Sequence, residues 1–235
     1  MKTEGRNAVS ELLKTDTVIE KILIQNGLRE TESKRLVEEI KKSRVKFQFA
    51  DRSALDKESP SGRHQGFIAY TTEFKYSEIE DFANGSFVVM LDGVEDPHNL
   101  GSIIRVCECA GVDGLVIPER RSASVSDTVM RISEGAANHL KIAKVTNLNI
   151  AIDYLKEHGY WVTGAELGGE NIYKADLTGK LALVIGGEGT GIKRLTKEKC
   201  DRVVTIPMHG KVNSLNASVA CGVAVFEAMR QRNDG

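Results

Sequence analysis

Hydrophobic positions along the chain change their spacing about a third of the way through its 235 residues. Before that point they alternate between helical and strand periods. Asn7–Lys14 reads as a short helix, and Val18–Gln25 (VIEKILIQ), β-branched and apolar, reads as a strand. In Glu32–Ser43 the apolar Leu36, Val37 and Ile40 recur at helical spacing among charges, which predicts an amphipathic helix. Val45–Ala50 (VKFQFA) alternates at period two, the pattern of a half-buried strand. Ser59–Gly66 (SPSGRHQG) has loop composition, and Phe67–Thr71 (FIAYT) is a further strand. These elements predict a small α/β domain over residues 1–72. Glu73–Gly85 carries four acidic residues and closes on the turn dipeptide Asn84-Gly85, which predicts a linker over residues 73–85.

From residue 86 to 235 the apolar residues gather into short unbroken runs. Phe87–Leu91, Gly114–Ile117, Tyr160–Thr163, Leu181–Ile185 and Val203–Ile206 are bounded by turn residues, as strands buried on both faces are. Helical stretches lie between them, at Leu100–Ala110, Ile150–His158 and Asn216–Arg232. Strands alternating with helices predict an α/β domain with a mainly parallel sheet. In such sheets ligands bind outside the carboxyl ends of the strands, so the residues that follow each strand carry the functional information.

Composition adds bounds to this picture. Apolar residues make up 41% and charged residues 28%, enough to bury a core, and no apolar run approaches the ~18 residues of a membrane span. Met1–Ser10 has no apolar signal core, so a cytoplasmic protein with reduced cysteines is expected. Cys107, Cys109, Cys200 and Cys221 do not have zinc spacing and read as small buried hydrophobes, and no metal site is expected. Net charge is −1, but it is uneven. Residues 1–72 hold 14 basic and 11 acidic side chains, and Lys34–Arg63 alone holds nine against five. A local basic face can hold a phosphate backbone although the whole chain is near neutral.

Three segments that follow strands carry candidate chemistry. After Phe87–Leu91 comes Asp92-Gly93-Val94-Glu95-Asp96-Pro97-His98-Asn99, in which Asn99 could cap a helix that carries Arg105 six residues on. The apolar neighbours Ile103, Ile104 and Val106 predict a partly buried guanidinium. After Leu181–Ile185 comes Gly186-Gly187-Glu188-Gly189-Thr190-Gly191-Ile192, whose four glycines allow close backbone approach to a ligand. A side chain at Gly187 is expected to fill the ligand space without unfolding the protein. The loop fits neither the dinucleotide fingerprint, whose third glycine would fall on Ile192, nor the P-loop, whose lysine would also fall there. Glu188 would repel a phosphate and tolerates a cationic or zwitterionic ligand. After Val203–Ile206 comes Pro207-Met208-His209-Gly210-Lys211-Val212-Asn213-Ser214-Leu215-Asn216, a polar turn in which Ser214 or Asn216 could cap the last helix.

In order, spacing and position these segments resemble the three motifs of the SpoU (TrmH) family of RNA 2′-O-ribose methyltransferases, over the whole of residues 86–232. Residues 3–72 resemble the small L30e/L7Ae-like domain that precedes many of these enzymes, with Gly5-Arg6-Asn7-Ala8-Val9 at one end and His64-Gln65-Gly66-Phe67-Ile68-Ala69 at the other. The layout is most similar to bacterial enzymes that methylate a guanosine of 23S rRNA; a tRNA or another rRNA site is the alternative. The resemblance implies a homodimer and a trefoil-knotted SPOUT catalytic domain that uses S-adenosyl-L-methionine. It places the cofactor among Thr163, Gly164, Gly186, Gly187, Ile206, Met208 and Leu215. It gives catalytic roles to Asn99, Arg105, Glu188, Ser214 and Asn216, and RNA contacts to Arg6, Lys46, Arg63 and His64. Two other classes stay open on the residues: a nucleotide-dependent oxidoreductase using the Gly186–Gly191 loop, and a non-catalytic RNA-binding module.

Overall fold

In the computed structural model, which describes residues 2–14, 19–59, 62–71, 74–211 and 214–233, two sheets form, one in each of two units. The first unit is Met1–Lys75 with Val125–His139, and the second is Tyr76–Ser124 with Leu140–Gly235. Val18, Thr72 and Glu73, at the expected element ends, lie outside the described residues, as do Val212 and Asn213.

The first unit contains β1 (Lys2–Glu4), α1 (Arg6–Leu12), β2 (Ile19–Gln25), α2 (Thr31–Lys42), β3 (Phe47–Ala50), α3 (Arg52–Glu58) and β4 (Phe67–Thr71). Its sheet runs β1-β4-β2-β3, antiparallel except for the β2–β3 pair. The period-two pattern of β2 and β4 splits their side chains between two layers. Ile22, Ile24, Phe67 and Ala69 pack with Val9, Leu12, Leu36 and Ile40 of α1 and α2. Leu23 and Ile68 pack with Leu55 of α3. The expectation of a half-buried strand at Val45–Ala50 is corrected: the strand begins at Phe47, and Phe47, Gln48 and Phe49 are all exposed. It is an edge strand, so neighbours cover it from one side only. β1 and α3 were not legible, because three residues and seven mostly charged residues give no resolvable period.

The second unit has a six-stranded sheet in the order β10-β8-β9-β5-β6-β7, parallel throughout. The strands are β5 (Phe87–Asp92), β6 (Gly114–Pro118), β7 (Ile142–Val145), β8 (Trp161–Asn171), β9 (Leu181–Gly186) and β10 (Arg202–Thr205). The helices of this unit are α4 (Pro97–Cys109), α6 (Leu148–Glu157), α7 (Arg194–Lys199) and α8 (Ala217–Asn233); α5 (Asp127–Ile132) belongs to the first unit. Every residue of β5 is buried, as a central parallel strand requires. Val88, Met90, Val116 and Val184 pack under Leu148, Ala151, Ile152 and Leu155 of α6. The alternate residues Val89, Leu91, Leu183 and Ile185 are equally buried, and α4 and α8 pack on each other and against β6 and β9.

The acidic segment read as a linker contributes to this core. Ser77 bridges Ala143, and a short 3-10 helix, Ile79–Phe82, buries Phe82. Gly114 makes room for that ring, since a Cβ there would stand 2.1 Å from Phe82 Cε1. Phe82 O accepts the Tyr160 hydroxyl at 2.7 Å. Of the cysteines, Cys107 and Cys221 are fully buried small hydrophobes, Cys200 is partly buried and Cys109 is exposed, a correction for Cys109. A thiol hydrogen bond with Cys221, together with burial, pushes Cys107 well above the usual thiol range. No helix among the described residues is long and apolar enough to cross a membrane.

Candidate active site

The residues that follow β5, β9 and β10 meet the middle of β8 at one end of the sheet. At the first, Gly93 turns the chain with φ +89°, and Asp96, not Asn99, caps α4 by accepting the His98 N–H at 2.9 Å. Pro97 at the first helical position needs no partner for the N–H it lacks. The cap expectation for Asn99 is therefore corrected. Asn99 lies inside the first turn, buried, with its side chain free for another task.

That task is to join two strand ends. Asn99 Nδ2 donates to the Glu188 carboxylate, and Asn99 Oδ1 accepts from Asn216 Nδ2 at 2.9 Å. Asn216 Oδ1 then accepts the Ser218 N–H at 2.9 Å and the Ser218 hydroxyl at 2.6 Å, which caps α8 as expected. The direction of the chain follows from its ends. A carboxylate only accepts, so the amide NH2 of Asn99 must face Glu188. Its oxygen is left for Asn216, whose own oxygen is left for the helix N–H groups.

One residue closes the glycine loop at both ends. The Gly187 N–H donates to the Asp92 carbonyl at 3.0 Å. The buried Asp92 carboxylate accepts the Lys193 N–H at 2.9 Å and the Lys193 ammonium at 2.6 Å. Residues 187–193 are thereby pinned to the end of β5. The expectation that a side chain at Gly187 would fill ligand space is corrected, because its Cβ would point at Gly93 O, 2.0 Å away, and so at the loop's own anchor.

β8 supplies the third wall. Its pairing with β10 jumps from Gly164 opposite Val203 to Glu170 opposite Val204, so residues 165–169 leave that ladder. Glu166, in this excursion, accepts the Ile192 N–H at 3.1 Å and the Lys197 ammonium at 3.1 Å.

These walls enclose a cavity of about 550 Å³, within the usual range of ligand sites. Gly186, Gly187, Glu188, Ile206, Met208, Ser214, Leu215 and Asn216 line it, eight of the twelve residues expected for cofactor and catalysis. Asn99 stands one hydrogen bond behind the wall. Thr163 and Gly164 end the buried part of β8 and do not line the cavity; the Thr163 hydroxyl is buried with no hydrogen-bond partner among the described residues. Arg105 lies on α4 outside the lining and is exposed, which corrects the expected partial burial: Ile103, Ile104 and Cys107 take the inward positions of the helix. Glu166 was missed by sequence reasoning, because the apolar run stops at Thr163 and reads as a short strand, whereas β8 continues to Asn171 and carries Glu166 within it.

The expected RNA contacts all fall in the first unit. Lys46 and Arg63 are exposed. Arg6 is held by Glu30 at 3.0 Å and Glu32 at 2.6 Å. His64 is corrected: it is buried, one ring nitrogen meeting Asp56 at 3.0 Å and the other accepting the Gly66 N–H at 2.9 Å, so it shapes the loop and does not face solvent.

Comparison with known proteins extends these observations. Residues 86–226 match the model of the SpoU rRNA Methylase family, and residues 3–77 match the RNA 2′-O ribose methyltransferase substrate-binding family. A Staphylococcus haemolyticus protein named for the TrmH family of tRNA/rRNA methyltransferases is 44% identical, over 97% of this chain and 95% of its own. The fold is that of the SpoU methyltransferase AviRb from Streptomyces viridochromogenes in complex with AdoMet, with a TM-score of 0.87 and 24% identity, over 100% of this chain and 91% of that one. An AdoMet-bound rRNA methyltransferase from Sinorhizobium meliloti gives a TM-score of 0.83 and 22% identity, over 97% and 86%.

Proposed function

The chain belongs to the SpoU rRNA Methylase family, and from that premise we propose that it transfers a methyl group from S-adenosyl-L-methionine to a ribose 2′-hydroxyl of RNA, at a guanosine of 23S rRNA. The observation that carries this reading is the directed chain Asn216–Asn99–Glu188 at the wall of a cavity floored by strand ends.

The lining suits the cofactor. Ile206, Met208 and Leu215 offer apolar surface for an adenine, and Gly186 and Gly187 bring backbone close to it. Glu166 and Glu188 favour a cationic or zwitterionic ligand over the pyrophosphate of a nicotinamide dinucleotide, which counts against the oxidoreductase reading. Thr163 and Gly164 would support this wall from behind. When bound, S-adenosylmethionine supplies a methyl group on a sulfonium centre. The protein must hold the ribose hydroxyl in line with it and favour loss of the hydroxyl proton. Glu188, Ser214 and Asn216 would orient that hydroxyl. Arg105, exposed on α4, would bind the flanking phosphate and stabilise the developing alkoxide. A guanidinium holds its proton far above neutral pH, which disfavours it as the base.

The first unit would dock the RNA, with the exposed Lys46 and Arg63 contacting phosphates and Arg6 assisting from its acidic pair. Two exposed apolar residues on α8, Val219 and Phe226, are the surface on which we place the homodimer contact, and the enzyme would act in the cytoplasm. The rRNA assignment is supported by the match of residues 86–226 to the SpoU rRNA Methylase family.

The test is transfer of labelled methyl from S-adenosylmethionine to rRNA of a strain lacking the protein, with the product mapped by its resistance to alkaline cleavage. One new 2′-O-methylguanosine in 23S rRNA is expected. Arg105→Ala should lower the single-turnover rate by at least about a hundredfold with cofactor affinity retained. Methylation of tRNA alone would move the substrate, and no methylation of any RNA would leave a binding module.

A further inference from the structure

Phe47 and Phe49 are the large apolar side chains that the described residues of the first unit leave exposed, at 38% and 46%. Both stand on the edge strand β3. The register sets Phe47 opposite Ile22 and Phe49 opposite Ile24, so the rings share the sheet face that α1 and α2 cover. Ile22 and Ile24 are fully buried there, whereas the helical layer stops short of β3 and the two rings overhang it. They meet edge to face, with centroids 5.9 Å apart and planes at 86°. That geometry leaves ring face open to solvent.

Cations surround the pair in sequence. Lys42, Arg44 and Lys46 lead into the strand and are exposed, and Arg44 and Lys46 have no ion-pair partner among the described residues. Arg52 follows the strand with its side chain 75% exposed and only a 3.8 Å contact to Asp56. Aromatic rings flanked by exposed cations match a flexible polyanion whose bases are free to stack. Stacked duplex offers its phosphates but not its base faces. The cluster of positive charge is a poor complement to an apolar protein surface.

We propose that Phe47 and Phe49 are a stacking platform for unpaired bases of the RNA substrate, with Arg44, Lys46 and Arg52 holding the phosphates. The proposal rests on the methyltransferase reading and adds to it the form in which the RNA is recognised, a single-stranded segment.

The test uses the full-length protein, a fluorescein-labelled unstructured 12-nucleotide RNA and the duplex of the same sequence, read by anisotropy at several salt concentrations. The double variant Phe47→Leu/Phe49→Leu keeps apolar bulk and removes the rings. It should bind the single strand at least about fivefold more weakly, with duplex affinity and S-adenosylmethionine affinity unchanged. Phe47→Tyr/Phe49→Tyr, which keeps the rings, should retain single-strand affinity. Lys46→Gln should weaken both RNAs and flatten the salt dependence by about 0.7 in logarithmic slope. Wild-type affinity of the Leu variant for the single strand would overturn the platform, as would a sedimentation change in that variant with RNA binding intact, which would make the face a protein contact. If the wild type methylates rRNA while the Leu variant keeps its KM, the platform falls and the methyltransferase stands. If the wild type binds neither RNA, the platform falls, and methyl transfer to rRNA decides the methyltransferase reading separately.

Discussion

An amide held between a carboxylate and another amide has one satisfied orientation, and Asn99 occupies such a place. Its type was legible as important from its position after a strand, but its role was misread. A cap needs only a side-chain oxygen near a helix start, and both Asp96 and Asn99 offer one. Which of them caps depends on where the turn at Gly93 ends, and that is set in three dimensions. The arrangement has a measurable consequence. Asn99→Asp places a second carboxylate against Glu188, and two such groups in hydrogen-bond reach cannot both ionise without penalty. As pH falls, one shared proton restores a donor to the pair. The methyl-transfer rate of Asn99→Asp relative to wild type should therefore rise as pH drops from 8.5 to 5.5 in single-turnover assays. A ratio that stays flat would remove the Asn99–Glu188 contact from the mechanism.

At the scale of elements, the site is a set of loops whose ends are tied rather than a set of rigid helices. The glycine loop of residues 187–193 meets Asp92 at both ends, through the Gly187 N–H and through Lys193. Asp92 was legible only as the first residue after an apolar run. Pairing with Lys193, 101 positions on, is a tertiary fact. Asp92→Ala would leave the Lys193 N–H without its acceptor and release the ammonium to solvent. Because that lysine is half exposed, water can meet both its charge and its N–H, and the loss should be about 1 kcal/mol, the net worth of an ordinary hydrogen bond. The loosened loop should also weaken S-adenosylmethionine binding more than it slows transfer at saturating cofactor. Urea denaturation and calorimetry would check both, and wild-type cofactor affinity in Asp92→Ala would show that the clamp does not shape the cavity. Gly187 makes the same point, since it serves packing against Gly93 as well as any ligand.

Taken as a whole, the molecule couples its stability to high pH through one tyrosine in each unit. Burial first, and then the hydrogen-bonded Glu58, pushes the Tyr70 hydroxyl up to about 12; burial, and then the charge of Asp113, pushes Tyr160 up to about 12. A raised folded value means that the folded chain holds the proton more tightly than the unfolded one. The stabilisation is complete below the ordinary value of about 10 and is lost as pH climbs to about 12. Urea midpoints should fall across that window, and Tyr70→Phe/Tyr160→Phe should fall less steeply; equal slopes would count against it. The sequence by itself determined the class of the fold and the parallel sheet, and it marked the strand-end segments that supply the glycine loop and the polar turn of the cavity wall. Those features follow from local signals: unbroken apolar runs bury strands on both faces, and ligands collect where such strands end. It did not determine the exposure of Phe47 and Phe49, the burial of His64, the exposed setting of Arg105 or the presence of Glu166 in the wall. Packing fixes each of these: a helical layer that ends before β3 leaves the two phenylalanines exposed, a loop that folds onto its own histidine buries His64, Ile103, Ile104 and Cys107 take the inward face of α4 and leave Arg105 outside, and a β8–β10 ladder that breaks at Gly164 brings Glu166 into the wall. Period and composition report which face of an element is apolar, and only packing decides how far the rest of the chain reaches across it.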